Sequence, residues 1–337
     1  MSETLHLLAG PTASGKSSAA VVLAQLMNAE IVAVDSMTIY RGMDIGTAKP
    51  SGEIRALVPH HLVDIVDPSD TFSVAQFVAL ARRTIAEIHS RGRAPLLVGG
   101  TPMYMRAFLS GLFEGPAADW NLREELHRLA EKGEEGGREL HARLALVDPE
   151  SARRLHPRDV RRVVRALEVH AKSGQPISAL QRQWKTGAPP FDKLMAPSPA
   201  NGGIEGPAER MRVLALRRRP EDLRQRINQR VDEMFARGLV AEVKELLQRP
   251  GGWSRTARAA VGYSEVLLYV DGVISLEDAV ERVRKRTWRV ARKQLTWLRH
   301  FPGVEWVDAA PETTPENVGK ALYKHIESWH NHAPVMG

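Results

Sequence analysis

The chain has 337 residues, of which 43% are hydrophobic and 26% are charged, a balance typical of a soluble globular protein with about two domains. It contains no cysteine, which excludes disulfides, thiolate metal sites and cysteine nucleophiles. The net charge of +7 at pH 7 favours a polyanionic partner. No apolar stretch is long enough to span a membrane and the first residues do not resemble a signal peptide, so we expect a cytoplasmic protein without membrane contact.

The first motif is a phosphate-binding loop that follows a short apolar segment, residues 4–9, and precedes a helical pattern. It matches G-x-x-x-x-G-K-[ST] at every fixed position. In such a loop, backbone N–H groups and the start of the next helix attract an anion, the lysine adds positive charge, and the last hydroxyl suits Mg²⁺. We therefore predict a phosphate or diphosphate site with Ser17 as metal ligand. The predicted loop comprises Gly10, Pro11, Thr12, Ala13, Ser14, Gly15, Lys16 and Ser17.

Further apolar runs alternate with helical segments and predict additional strands. These runs lie at residues 31–34, 62–66, 95–101 and 213–216. Nearly continuous apolar strands separated by helices are typical of an α/β fold with a doubly wound parallel sheet, here of the P-loop NTPase-like class. Ser73 and Gln76 have the spacing of a capping box and predict a helix that runs to about residue 90. Ligands of such sheets bind beyond the carboxyl ends of the strands, where we expect the P-loop, Asp35 and Thr101 to converge.

From about residue 115 the pattern changes to helical segments alone. Helices are predicted at residues 121–132, 137–146, 160–173 and 177–184. We interpret this stretch as an all-helical domain inserted into the α/β core. The predicted boundaries are 1–114 for the first part of the core, 115–187 for the insertion, 188–208 for a Pro/Gly-rich linker and 209–337 for the return to the core with basic C-terminal helices.

Asp35 is the candidate acidic group, because it ends an apolar strand opposite the P-loop. A P-loop enzyme that uses ATP needs a carboxylate near Mg²⁺, often an aspartate at such a position. No aspartate follows the strand that ends at Thr101. Asp35 is therefore either a metal-linked carboxylate or a general base, and the structural alternative is an N-cap aspartate of a helix.

A strongly basic helix is predicted at residues 279–300. Between Arg282 and Arg299 it carries eight lysine or arginine residues and no acidic residue, with Trp288 and Trp297 among them. A phosphate backbone would relieve the repulsion between these charges, and the indoles offer stacking surfaces for unpaired bases. The alternative interpretation is an ordinary solvated face.

Two smaller groups of arginines add to this pattern. Arg161, Arg162 and Arg165 form a basic cluster on the predicted insertion, and two basic clusters on different domains suggest a clamp around RNA. Arg226 and Arg230 lie four residues apart, on one helix face. One or both can reach the phosphates and stabilise charge on a leaving diphosphate, with solvation as the alternative.

Several stretches together resemble the tRNA dimethylallyltransferases, also called tRNA isopentenyltransferases. They are residues 10–17, 35–50, 60–64, 98–104, 165–169, 261–263 and 292–299. The run from 35 to 50, with Asp-Ser-Met followed by Gly-Met-Asp-Ile-Gly-Thr-Ala-Lys-Pro, is highly specific, and the resemblance covers about residues 4–307. Departures are small, since Ser17 replaces a common threonine, Ser264 stands where a basic residue is common, and the tract at 187–207 is longer than expected.

The resemblance implies that the P-loop holds the diphosphate of dimethylallyl diphosphate, and that the acceptor is N6 of adenosine 37 in the anticodon stem-loop of tRNA. It implies Asp35 as general base and Thr101 as a positioning group. Lys16, Ser17, Mg²⁺ and Arg230 would stabilise the departing diphosphate. We expect a monomer, since one chain is enough to clamp a tRNA. The rival interpretations are a small-molecule kinase that uses ATP and a non-catalytic RNA-binding protein.

The resemblance also implies a set of contacts with tRNA, which includes the two basic clusters found from charge alone. The implied RNA-binding residues are Asp35, Ser36, Met37, Thr38, Thr101, Arg123, Arg161, Arg162, Val163, Val164, Arg165, Ala259, Ala260, Val261, Gly262, Tyr263, Ser264, Thr287, Trp288, Arg289, Arg292, Lys293 and Gln294.

Overall fold

Apolar segments of the chain form a parallel six-stranded sheet in the computed structural model, which describes residues 4–110, 115–116, 118–181, 210–301 and 303–331. The order across the sheet is β3-β2-β4-β1-β5-β6. In β1, β2 and β4 almost every side chain is buried, because helices cover both faces. The predicted fold class is therefore confirmed. The strands are β1 (Thr4–Ala9), β2 (Ala29–Val34), β3 (His60–His61), β4 (Ala94–Gly99), β5 (Arg210–Arg217) and β6 (Val304–Asp308).

Helices connect the strands and form the predicted helical region. The chain divides into two compact units, residues 1–108 with 205–337 and residues 109–204. No helix of the described ranges is long and apolar enough to cross a membrane. The helices of the first unit are α1 (Lys16–Leu26), α2 (Gly52–Leu57), α3 (Val74–Ser90), α4 (Pro102–Ser110), α10 (Pro220–Ala236), α11 (Leu239–Gln248), α12 (Arg255–Arg258), α13 (Tyr263–Val270), α14 (Leu276–Arg299) and α15 (Pro315–Asn331); those of the second are α5 (Trp120–Ala130), α6 (Glu134–Val147), α7 (Pro149–Arg154), α8 (Val160–Ser173) and α9 (Ile177–Leu180).

Helix α3 shows how local sequence determines an element. The Ser73 hydroxyl accepts the N–H of Gln76 at 3.2 Å, and the Gln76 side chain accepts the N–H of Ser73 at 2.8 Å. This is the predicted capping box, which satisfies two otherwise unpaired donors. Beyond the last turn, Gly92 adopts a φ of 68°, a conformation that ends the helix.

The strand predicted at residues 62–66 is wrong. Leu62 and Asp64 have φ values of 61° and 57°, which no regular strand contains, and Val66 makes only an isolated bridge with Tyr40. The paired residues lie just before, where β3 adds to β2. The apolar side chains of this segment face the interior of an irregular loop, and Asp64 receives hydrogen bonds from Lys49 and Arg55.

Some elements of the structure were not predicted, and one helix ends earlier than predicted. Strand β6 and helices α2, α4, α7 and α15 were not predicted, and α9 ends at Leu180, before the predicted end at residue 184, which lies outside the described residues. Helix α15 packs on α1, with Gly319 against Val22. The predicted linker also lies outside the described residues, so its order and the exact domain boundaries stay predictions.

Candidate active site

The P-loop makes the turn from β1 into α1 and has the backbone of an anion cradle. Ala13 and Gly15 have φ values of 63° and 90°, and α1 begins at Lys16. Left-handed residues within a tight turn direct neighbouring N–H groups to the same side, and glycine adopts this conformation without strain. The Ser14 hydroxyl is buried and has no hydrogen-bond partner among the described residues. The loop therefore presents donors that an anion can satisfy.

Two arginines hold the backbone of this loop through its carbonyl groups. Arg218 donates to the carbonyl of Ser14 at 2.7 Å, and Arg226 donates to the carbonyl of Ala13 at 3.0 Å. Because both guanidinium groups bind carbonyl oxygens, they hold the turn without using its N–H groups. Arg218 was not predicted, although it follows β5 at the sheet edge where Asp35 and Thr101 were expected, and its position after a strand was a usable signal.

A third arginine, Arg230, contacts the P-loop through a side chain and not through a backbone carbonyl. One of its nitrogens donates to the Thr12 hydroxyl at 3.3 Å and another approaches the carbonyl of Thr47 at 3.5 Å. Both contacts are long, which leaves most of its five donors for a ligand. Of the pair left open by the sequence, Arg230 is therefore the better candidate for a diphosphate contact, whereas Arg226 supports the loop.

The charges of the site are concentrated on Lys16, Arg230 and Asp35. The pKa of Lys16 is lowered to about 8, first by burial and then by the positive charge of Arg230, while Asp35 opposes the shift. Burial likewise lowers the pKa of Arg230, and Asp35 again opposes the shift. Two cations held close together with one carboxylate leave an excess of positive charge, which a bound diphosphate would neutralise.

Asp35 is held in a fixed orientation with one free oxygen. Its Oδ1 accepts the N–H groups of Met37 at 2.8 Å and Thr38 at 3.3 Å. Its Oδ2 has no hydrogen-bond partner among the residues that the structure describes. Thr101 lies beside it, because the Thr101 hydroxyl accepts the N–H of Ser36 at 3.2 Å. The ends of β2 and β4 thus bring Asp35 and Thr101 together, as the strand order predicts.

Gln294 connects the P-loop to the end of β4. Its Oε1 accepts the N–H of Thr12 at 2.8 Å, and its Nε2 donates to the carbonyl of Gly100 at 2.8 Å. The resemblance implies an RNA contact for Gln294, which stays a prediction, and in the structure its amide joins two loops. The connection spans 282 residues of chain, so no local pattern reveals it.

The basic helix α14 is partly neutralised, which corrects the prediction of eight uncompensated cations. Arg284 pairs with Asp232 of α10, and Lys285 pairs with Glu281 at 3.2 Å. Arg286 pairs with Glu265 at 2.6 Å. Within the described ranges, the remaining five cations form no ion pair. They are Arg282, Arg289, Arg292, Lys293 and Arg299.

Three of these unpaired cations line a groove of about 910 Å³ along α14. The groove is also lined by Trp288 and Trp297, and Arg224 of α10 lies over the Trp288 ring at 5.7 Å. Its unpaired cations are Arg289, Arg292 and Lys293. A groove with cations and indoles is the surface that a phosphate backbone with accessible bases requires.

In the helical unit, two of the arginines predicted to bind RNA hold a buried carboxylate, and their RNA contact stays a prediction. Glu168 is fully buried and receives two hydrogen bonds from Arg123, both at 2.9 Å, and one from Arg165. Burial opposes ionisation of Glu168, but the bonds from Arg123 and Arg165 outweigh it and hold the pKa of this carboxyl below its usual value. Arg161 and Arg162 are exposed, as an RNA contact requires.

Several other predicted RNA-binding side chains are buried, and for these the structure shows a packing role. Val163 and Val164 belong to the core of the helical unit. Ala260 and Tyr263 belong to a core cluster of the first unit, and Tyr263 has no exposed surface. The helical periodicity of α8 indicates from the sequence that some of its residues face the core. The resemblance nevertheless implied RNA contacts for all of residues 161–165.

We expect the alanine variant of Glu168 to be strongly destabilised. Removing the carboxylate leaves Arg123 and Arg165 without their partner, and breaking a buried ion pair in this way costs about 3–5 kcal/mol of the free energy of unfolding. Urea unfolding followed by circular dichroism measures the loss. Glu139→Ala, which removes an exposed pair with Arg143, should cost less than about 1 kcal/mol.

The pH dependence of this pair gives a second measurement on the unmodified chain. Because the folded-state pKa of Glu168 is depressed, its contribution is present above the ordinary carboxyl pKa and is lost as pH falls through the folded value. Equal stability of the Glu168→Ala and Glu139→Ala variants would contradict the structural role.

Family profiles and similar proteins match nearly the whole chain, and all of them describe one kind of transferase. A family profile described as IPP transferase matches residues 38–301, and one described as isopentenyl transferase matches residues 3–58. The chain is 46% identical over 304 residues to the tRNA dimethylallyltransferase of Geobacter sulfurreducens, covering 90% of this chain and 91% of the relative. It is 43% identical over 320 residues to the enzyme of the same name from Anaeromyxobacter dehalogenans, covering 95% and 99%.

Solved structures give the same result. The full-length tRNA isopentenylpyrophosphate transferase of Bacillus halodurans matches with a TM-score of 0.67 and 36% identity, covering 98% of this chain and all of that one. A eukaryotic dimethylallyltransferase acting on tRNA matches with a TM-score of 0.73 and 26% identity, covering 100% of this chain and 81% of that one.

Proposed function

Because this chain belongs to the tRNA dimethylallyltransferase family, we propose that it transfers a dimethylallyl group from dimethylallyl diphosphate to N6 of adenosine 37 in the anticodon loop of tRNA. The products are N6-dimethylallyl-adenosine and diphosphate. We further propose that one chain acts as a monomer in the cytoplasm. The observation that carries the proposed reaction is the anion cradle with Lys16 and Arg230, with a carboxylate oxygen of Asp35 left free beside it.

The cradle suits a leaving group. As the bond between the allylic carbon and the diphosphate oxygen breaks, the electron pair and the negative charge go to the diphosphate. Lys16, Arg230 and N–H groups of the P-loop would stabilise this charge, and such preorganised donors supply a large part of a rate enhancement.

Magnesium fits the donors present. Ser17 is exposed at the first turn of α1, and its hydroxyl has no hydrogen-bond partner among the described residues. No cluster of three acidic or histidine side chains occurs within the described ranges, so one hydroxyl, the diphosphate and water would complete the coordination, as Mg²⁺ prefers. The bound ion would supply additional positive charge to the leaving diphosphate.

Asp35 fits the role of general base. The exocyclic amine of adenine is a weak nucleophile, because its lone pair is delocalised into the ring. As the new carbon–nitrogen bond forms, the free Oδ2 of Asp35 takes the N6 proton, while the two backbone N–H groups on Oδ1 keep the carboxylate oriented. The Thr101 hydroxyl lies beside this carboxylate and is placed to orient the base. The adenine reaches these groups only if it leaves its stack.

The groove on α14 is the proposed surface for the RNA backbone, and a double variant tests it. Replacing Arg289 and Arg292 with glutamine removes two unpaired cations, so we expect weaker tRNA binding and a shallower dependence of log affinity on log salt, by about 0.7–0.9 for each lost phosphate contact. Fluorescence anisotropy at several salt concentrations measures this slope. Arg83→Gln, which removes an exposed ion pair with Glu87, is the control. An unchanged slope in the double variant would show that this face of α14 is solvated and does not bind RNA.

The reaction itself is tested by mass spectrometry of an anticodon stem-loop RNA incubated with the full chain, dimethylallyl diphosphate and Mg²⁺. We expect a mass gain of one dimethylallyl group on adenosine 37 and none on a stem-loop with guanosine at that position. Phosphoryl transfer from labelled ATP without prenylation would support the kinase alternative. RNA binding without either product would support a non-catalytic RNA-binding protein.

A further inference from the structure

The loop at residues 42–49 belongs to the most specific sequence run of the chain, yet none of its side chains has a role in the proposed chemistry. We propose that Glu242 of α11 is a positioning residue, which fixes this loop so that the carbonyl of Thr47 orients Arg230 toward the diphosphate. The inference rests on the proposed function for the identity of the diphosphate donor, and it adds a residue from a helix that contributes nothing else to the site.

Glu242 binds the loop through several donors at once. Its Oε2 accepts the N–H of Ile45 at 2.8 Å and the N–H of Asp44 at 3.1 Å, and its Oε1 lies 3.4 Å from the N–H of Gly46. The Tyr263 hydroxyl donates to Oε1 at 2.6 Å. Three consecutive backbone N–H groups directed at one carboxylate form a small anion-binding nest, here occupied by the protein's own side chain.

The surroundings of Glu242 require a carboxylate of this length. Burial and the charge of Glu242 raise the pKa of Tyr263 far above its usual value, so the phenol stays protonated and donates. A side chain at Gly46 would lie 2.4 Å from the Tyr263 ring, so the loop packs directly against the aromatic ring. A glutamine at 242 would present an amide group, itself a donor, to a site that contains only donors.

The other end of the loop is fixed by Lys49. The Lys49 ammonium is buried and donates to the carbonyl of Tyr40 at 2.7 Å and to Asp44 and Asp64, each at 2.5 Å. Glu242 and Lys49 thus hold the loop on both sides of Thr47, which restricts the movement of its carbonyl. Arg230 spans from this carbonyl to the Thr12 hydroxyl of the P-loop.

Helices α10 and α11 therefore hold the same loop at two adjacent points. Arg230 of α10 approaches the Thr47 carbonyl, and Glu242 of α11 binds the preceding N–H groups. The Arg230 side chain has several rotamers, and a contact with the fixed Thr47 carbonyl favours those that direct its guanidinium toward the P-loop. If the rotamers of Arg230 are no longer restricted, we expect weaker diphosphate binding and slower turnover. A displacement of about 1 Å at a reacting group can lower turnover by about 10²-fold.

The test measures inorganic diphosphate binding by calorimetry and turnover with the full chain. We expect Glu242→Gln to weaken diphosphate binding about tenfold, as for partial loss of one charged hydrogen bond, and to lower kcat more than it changes the KM for RNA. Glu316→Gln is the control, since Glu316 is exposed on α15 and pairs with Lys320. We expect it to behave like the unmodified chain.

A double-mutant cycle with Arg230→Ala separates positioning from a general structural role. If Glu242 acts through Arg230, then adding Glu242→Gln to Arg230→Ala causes no further loss of diphosphate affinity. Additive losses, or unchanged diphosphate binding in Glu242→Gln, overturn the proposal. If Glu242→Gln fails to fold, Tyr263→Phe, which removes one donor to the same carboxylate, is tested in the same cycle. Diphosphate binding is measured without prenyl transfer, so this result stands apart from a failure of the proposed reaction.

Discussion

Replacing Asp35 with alanine is expected to lower turnover by about 10²–10⁴-fold while the affinity for tRNA stays within a factor of about two. The physical reason is that Asp35, at the end of β2, has one oxygen without a hydrogen-bond partner among the described residues, which is free to take the N6 proton. Without it, the proton must leave to water, and the developing charge on nitrogen is not neutralised. Single-turnover kinetics with saturating RNA and donor measure the chemical step.

Asp35→Asn is the matched variant for this prediction. Its amide oxygen can still accept the N–H groups of Met37 and Thr38, so the local turn is kept while the base is lost. We therefore expect a similar loss of turnover with little change in stability. Normal turnover in either variant would remove the assignment of Asp35 as general base and leave the metal-linked carboxylate as its role.

Replacing Lys16 with alanine is expected to lower kcat/KM for the allylic donor by about 10²–10³-fold. Lys16 is partly buried, and its charge interacts with that of Arg230, so it is a candidate to neutralise the charge that develops on the diphosphate. Steady-state kinetics at varied donor concentration, with RNA saturating, measure this loss. Lys320→Ala, which removes an exposed pair with Glu316, is the control and should leave kcat/KM unchanged.

The lowered pKa of Lys16 adds a pH dependence to this prediction. In the free protein Lys16 has a pKa of about 8, and a bound diphosphate, being an anion, raises it. The contribution of Lys16 to diphosphate affinity is therefore constant well below pH 8 and falls by up to about tenfold per pH unit above it, because binding must then be accompanied by proton uptake. Calorimetry between pH 7 and 9.5 measures this fall, which should disappear in Lys16→Ala. The same fall in both proteins would exclude Lys16 as its source.

Features that depend on neighbouring residues were predictable from the sequence. The P-loop, strand β1 and the capping box of α3 occur as expected, since each rests on contacts within a few residues. The convergence of Asp35 and Thr101 was also predictable, because parallel strands end at one edge of a sheet. The segment at 62–66 shows the limit of this reasoning, because an apolar run there forms a loop with left-handed residues.

The tertiary structure decided which polar groups meet. Arg123 and Arg165 contact a buried glutamate, whereas charge alone suggested RNA for Arg165 and the family pattern suggested it for both. Gln294 joins two loops 282 and 194 residues away along the chain, and Glu242 binds a loop almost 200 residues before it. A sequence pattern records the type of a side chain and its near neighbours, but a hydrogen bond between distant segments depends on how the whole chain packs. The sequence thus determined the cradle and its chemistry, and the packing determined which residues hold it in shape.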